Sequence, residues 1–152
     1  MNIKMLLIAA LIAGALSLTG WTGVVAAQVF SSTGPVIAIL EGELLLGEAT
    51  GHLGGSGTIT LHSSATGART CDGEFSYGGT QGDSGQLRCS DGTSAAFRFQ
   101  RLTARRGYGT GSDGSALSFT YGLSAEESGA YLDLPPGKAL RRKGGTVELV
   151  SR

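Results

Sequence analysis

Between Thr70 and Gly92 the chain reads Thr-Cys-Asp-Gly-Glu-Phe-Ser-Tyr, a Gly-rich turn, then Gly-Gln-Leu-Arg-Cys-Ser-Asp-Gly, and this stretch holds both cysteines of the protein. Setting Cys71 opposite Cys89 in an antiparallel hairpin brings Gly73 opposite Leu87, Phe75 opposite Gly85 and Tyr77 opposite Asp83. Side chains on a strand alternate between faces. Cys71, Phe75, Tyr77, Leu87 and Cys89 therefore share one face, while Asp72, Glu74, Ser76, Ser84, Gln86 and Arg88 share the other, with Arg88 across from Asp72. One register satisfies apolar face, charge pairing and cysteines together. Opposed cysteines on neighbouring strands suit a disulfide, and two cysteines without Cys or His neighbours make a poor metal site. A Cys71–Cys89 disulfide is expected if the chain is exported.

The flanking residues extend the same face. Pro35 to Leu46 is strongly apolar with Glu41 and Glu43 inserted and leads into Gly47-Glu48-Ala49-Thr50-Gly51-His52-Leu53, and together these read as one long strand, or two separated near Gly42. Gly54-Gly55-Ser56 is a turn, and Thr58-Ile59-Thr60-Leu61-His62 alternates as a half-buried strand does. A three-residue loop at Ala65-Thr66-Gly67 sets Leu61 opposite Cys71, Ile59 opposite Gly73 and Gly57 opposite Phe75. A three-residue loop at Ser90-Asp91-Gly92 carries Phe97 and Phe99 onto the face of Leu87 and Cys89, so that Gly85 lies between Phe75 and Phe97. Glycine beside an aromatic ring lets the ring lie over bare backbone. Ser112-Asp113-Gly114 repeats the tripeptide 22 residues later, between Gly107-Tyr108-Gly109-Thr110-Gly111 and Leu117-Ser118-Phe119-Thr120-Tyr121. A repeated hairpin unit follows.

Gly73-Glu74-Phe75, Gly78, Gly79, Gly82, Gly85-Gln86-Leu87 and Asp91-Gly92 resemble the MORN repeat over roughly residues 71 to 93. That family's hairpins carry Gly-Glu-Phe and a closing Asp-Gly and stack aromatics over glycines. Cys71 and Cys89 stand where it usually shows an aromatic. The chain also resembles small Gly-rich secreted or lipoprotein-like domains of Gram-negative bacteria. The resemblance implies a meander of hairpins and no particular chemistry.

Met1 to Ala27 reads as a signal peptide: Lys4 in a short leading region, an apolar run from Met5 to Leu18, and Val25-Ala26-Ala27 as a small-residue cleavage site before Gln28. Uncleaved, the same segment is long enough to anchor the domain in a membrane. Leu18-Thr19-Gly20-Trp21 resembles a bacterial lipobox with Trp in place of the lipidated cysteine, so no lipoprotein anchor is expected. What remains is enough for one domain with a modest core. The 26 glycines, 7% aromatics and formal net charge of zero argue against nucleic-acid binding, which needs a basic surface.

Beyond Gly122 the chain changes character. Ser124-Ala125-Glu126-Glu127 has capping-box spacing, with Gly129 following too soon for a long helix. Pro135-Pro136-Gly137 precedes Lys138, Arg141, Arg142 and Lys143, and this part reads as a linker and a flexible basic tail that could dock on anionic lipid or polymer.

Three constellations bear on chemistry. Gly82-Asp83-Ser84-Gly85 resembles the nucleophile motif of trypsin-like serine proteases, which implies Ser84 as nucleophile, His52 or His62 as base, and Asp72 or Asp83 as orienting acid. The chain is far shorter than such proteases, Gln86 stands where a glycine is usual, and the motif is ordinary turn chemistry. If Gly54-Gly55-Ser56 is the loop, His52 faces Thr58 and His62 faces Glu48, too far apart to share an ion. Glu41 and Glu43 are expected to be exposed rather than a carboxylate dyad. Tyr108, Tyr121 and Tyr131 form either a sugar-binding platform or covers for glycine.

The sequence thus predicts an all-β antiparallel meander of about seven or eight strands, as an open twisted MORN-like sheet or a small closed barrel, with one disulfide. Its divisions are a signal peptide or uncleaved membrane anchor over 1–27, a linker over 28–34, the meander over 35–122, and a C-terminal extension with basic tail over 123–152. The expected function is that of a non-catalytic exported cell-envelope module, periplasmic or secreted, whose partner is an envelope protein, a lipid or a polymer. Alternatives are a carrier of a small apolar ligand within a barrel and, behind it, a hydrolase using Ser84. No catalytic residue, metal or cofactor is expected, and the sequence assigns no partner-binding residue.

Overall fold

The computed structural model of the protein describes residues 31–65, 68–78 and 82–152. The expected signal peptide and residues 28–30 of the expected linker lie outside the described residues. Eight antiparallel strands follow one another: β1 (Ser31–Leu40), β2 (Glu43–His52), β3 (Ser56–Ser63), β4 (Thr70–Ser76), β5 (Ser84–Cys89), β6 (Ser94–Thr103), β7 (Arg106–Gly111) and β8 (Leu117–Tyr121). Each pairs with the next, and β8 returns to β1 with Tyr121 opposite Val36 and Leu117 opposite Leu40. The sheet is a closed barrel, not an open one. Eight strands leave an interior that side chains nearly fill or that holds one small ligand.

The central registers are those the cysteines and glycines predict. Cys71 faces Cys89 and the two are disulfide-bonded; Phe75 faces Gly85, Leu61 faces Cys71, and Gly85 faces Phe97. The inner face holds Val36, Ala38, Leu40, Leu45, Ile59, Leu61, Cys71, Leu87, Phe97 and Phe119, all buried. Phe75, Phe97 and Phe119, on β4, β6 and β8, each lie over a glycine of the preceding strand: Gly57, Gly85 and Gly109. Even strands supply rings and odd strands supply bare backbone, so the narrow barrel accommodates large side chains without widening. This is the hairpin unit that the repeated Ser-Asp-Gly announces.

Of the two readings of the strand around Gly42, two strands is the one observed, because Glu41 (φ 52°) and Gly42 (φ 80°) form a two-residue turn whose central residues both have positive φ, as a type I′ hairpin requires. Two expectations need correction. Residues 31–34, expected as linker, belong to β1. The β2–β3 loop is Leu53-Gly54-Gly55 rather than Gly54-Gly55-Ser56: Gly55 N–H donates to the His52 carbonyl, and the ladder shifts by two residues. Glu48 consequently faces Thr60, and His62 faces Leu46. A two-residue shift preserves the faces, so the alternation in Thr58–His62 could not detect it.

The C-terminal region is also ordered where a flexible tail was expected. Helix α1 (Ala125–Ser128) carries the expected capping box, Ser124 accepting from Glu127 N–H and the Glu127 carboxylate accepting from Ser124 N–H. Strands β9 (Lys138–Lys143) and β10 (Thr146–Ser151) form a hairpin. Together they lay Ala125, Leu132, Leu134, Leu140, Val147 and Leu149 over Ile37, Ile39, Leu44 and Leu46 on the outside of β1 and β2. Those two strands are thus buried on both faces, which explains their nearly unbroken apolar run. The polar groups beneath the cover are satisfied: Thr120 Oγ1 lies 2.7 Å from Ser128 Oγ, and Asp133 N–H donates to Ser118 Oγ over 2.9 Å. The positive charges are partly neutralised, Arg141 by Glu148 at 2.8 Å and Arg142 by Glu126 at 3.6 Å.

No described helix is long and apolar enough to cross a membrane. The disulfide is consistent with an oxidising, exported compartment.

Candidate functional site

The two ends of the barrel differ in kind. At the end where β1 turns into β2, Arg69 reaches Glu43 Oε2 at 3.2 Å, Glu41 Oε1 at 3.3 Å and Asp91 Oδ2 at 3.1 Å, with only 13% of its side chain exposed. Arg69 Nε makes no aligned hydrogen bond, so its contact with Asp91 is an ion pair alone. Burial draws the Arg69 pKa down, but the bond to Glu43 and the charges of Asp91 and Glu41 outweigh it, and the net direction is upward. Glu41, exposed as expected, and Glu43, half-buried where exposure was expected, therefore meet on one guanidinium. Below this plug lie Leu40, Leu45 and the disulfide.

The opposite end is open. A cavity of about 300 Å³ enters the barrel there, walled by Val36, Ala49, Ile59, Phe75, Phe97 and Phe119, with Phe99 and Tyr121 nearer the rim. The rings contact one another edge to face, Phe99 with Phe75 at 5.8 Å and with Tyr121 at 5.9 Å between centroids. Such an aromatic lining is rigid and apolar, suited to an apolar body rather than to water.

A few polar groups stand at the rim. Arg101 faces Gly107, and Gly107 faces Tyr121, so all three share one inward row. Arg101 Nε bonds Asp83 Oδ2 at 3.0 Å, and the guanidinium lies 5.6 Å from the centre of the Tyr77 ring. Asp83 is itself 15% exposed and also accepts from Gly78 N–H. Tyr77 donates its hydroxyl to the His52 carbonyl. Tyr121 lies over bare Gly107, and its hydroxyl is buried without a hydrogen-bond partner among the described residues. Burial pushes the Tyr121 phenol up to about 12, with Arg101 opposing and Asp83 adding to the effect. The turn after β6 adds Ala104 and Arg105 to the lining, and Leu53 and Leu102, 75% and 49% exposed, flank the same end.

The other candidates are scattered. Ser84 lies on the outer face opposite Ser76 and Arg98, while His52 is on β2 with β3 and β4 between them, about 14 Å at the usual strand spacing. No hydrogen bond joins Ser84 to either histidine among the described residues. Asp83 is engaged with Arg101, and Asp72 faces Arg88. His62 and His52 stand six positions apart along the ladder, and no cluster of three or more potential metal ligands occurs among the described residues. The tyrosines do not form one platform: Tyr108 stacks on Tyr131 at 4.5 Å outside the barrel, and Tyr121 points inward.

Sequence reasoning missed Arg101 and Arg105 at the mouth. The alternation Phe97, Phe99, Arg101 carries the signal for the first, since it continues the inward parity. Arg105 sits beyond the irregularity between Arg101 and Thr103, where parity fails.

No family model matches the chain, and no curated protein or solved structure matches it. The MORN-like resemblance rests on the hairpin residues alone.

Proposed function

We propose that the protein is a non-catalytic exported module whose barrel takes up a small apolar ligand through its open end. Of the two binding expectations, the carrier within a barrel is the better supported. The observation that carries it is the aromatic cavity of about 300 Å³, open at the Tyr121 end and stopped beneath by the packed core of Leu45, Leu61, Cys71 and Leu87. A core needed only for stability would be filled, because interiors pack to crystal-like density with few voids. The volume is at the lower end of ligand sites, which suits a ligand with one short apolar body.

Two measurements test this. Native mass spectrometry of protein recovered from producing cells should show a small adduct, and calorimetry with decanol should show saturable one-to-one binding. Ala49→Trp, which fills the cavity from β2, should abolish decanol binding while leaving the circular dichroism of the barrel in place. A bare polypeptide in the spectrum together with no decanol binding by the parent would end the carrier reading.

A further inference from the structure

We propose that the ligand is a small amphipathic anion, with one apolar chain among the rings and a carboxylate-type head group held at the rim by Arg105 and the Tyr121 hydroxyl. This rests on the carrier reading and specifies its ligand. Tyr121 supplies a buried O–H donor at the mouth with no acceptor among the described residues. Buried polar groups are ordinarily satisfied, so an acceptor at this point completes the wall. A purely apolar ligand would leave the hydroxyl as it is.

The charges at the mouth select the sign. Arg101 is already engaged by Asp83 and by the Tyr77 ring. Arg105 also lines the cavity and has no ion pair among the described residues. Its turn is set against the end of β8, since a β carbon on Gly122, the residue after Tyr121, would collide with the Arg105 carbonyl. The three charged residues lining or closing this rim, Asp83, Arg101 and Arg105, sum to one positive charge. At the far end, one guanidinium is surrounded by three carboxylates, those of Glu41, Glu43 and Asp91. The ends thus have opposite polarity, and the field along the barrel draws an anion to the mouth and turns its chain inward. The cavity is too small for the paired chains of a phospholipid, so the occupant is a free single-chain anion.

Calorimetry with three ligands of equal chain length, decanoate, decanol and decyltrimethylammonium, separates head-group charge from chain burial. Decanoate should bind about tenfold more tightly than decanol, the factor expected of one charge-assisted hydrogen bond, and the gap should narrow as salt is added. Arg105→Gln, on an exposed turn, should close that gap by weakening decanoate more than decanol. Tyr121→Phe keeps the ring over Gly107 and should weaken decanoate and decanol alike. Decanoate binding no tighter than decanol, or tightest binding by the cation, would overturn the inference and leave the carrier reading standing. If neither decanol nor decanoate binds, both fall. Flotation with phosphatidylglycerol vesicles tests a membrane source. Protein that stays soluble agrees with a free anion, and protein that floats and does not bind decanoate overturns it.

Discussion

Phe97 on β6 lies over Gly85 on β5 so closely that a β carbon on that glycine would stand 2.5 Å from the tip of the ring. The Glu74 carbonyl closes the same space from β4, so neither ring nor backbone can yield alone. Gly85→Ala should therefore destabilise the barrel by about 1–3 kcal/mol, the range for overpacking a filled core. Gly54→Ala, with nothing within 4 Å of the new methyl group, should shift stability by less than about 0.5 kcal/mol. Urea unfolding of the two variants beside the parent checks the contrast. Equal midpoints would mean that the rings do not depend on bare backbone.

The disulfide staples adjacent strands inside the core, with Cys71 fully buried against Leu61 and Leu87. Replacing Cys71 and Cys89 together by alanine should lower stability by about 3 kcal/mol, as loop entropy predicts for a loop of this length. Denaturant unfolding without reductant measures it. A double variant that unfolds at the parent's midpoint would show that the β4–β5 ladder holds itself.

Tyr121 gives an alkaline signature. Its pKa is raised to about 12 from an ordinary 10.0, chiefly by burial. A group whose folded pKa lies above its unfolded one contributes stability that is complete below the unfolded value and is lost as pH rises through the folded value. That loss should run from about pH 10 to about pH 12. Phenolate absorbance during alkaline titration should show an ionisation near pH 12, and Tyr121→Phe should remove it. An absorbance curve that Tyr121→Phe leaves unchanged in that range would place Tyr121 in water.

How much of this was legible depended on how tightly each register was determined. Around Cys71 and Cys89 the faces, the charge pairs and the loop lengths agree on one alignment, and the structure has that alignment. The glycines opposite Phe75 and Phe97 extended it to β3 and β6. Between β2 and β3 nothing but alternation spoke, and alternation is blind to a shift of two, so Glu48 and His62 were wrongly paired. The C-terminal hairpin escaped notice because Leu140, Val147 and Leu149 are few and their charged neighbours Arg141 and Arg142 suggest solvent. Their partner surface on Ile37 and Leu44 is about a hundred residues away in sequence, where no local pattern can report it.

Closure itself imposes an order on folding. Seven of the eight pairings join consecutive strands, but the eighth brings Val36 to Tyr121 across nearly the whole described barrel. Contacts so distant along the chain form late, because the loop entropy is lost before the contact rewards it. Until then β1 and β8 are both free edges, able to pair with another copy, and afterwards neither is. The last seam to close is therefore the one that separates a chain prone to association from a self-contained one, and it lies beside the Tyr121 mouth.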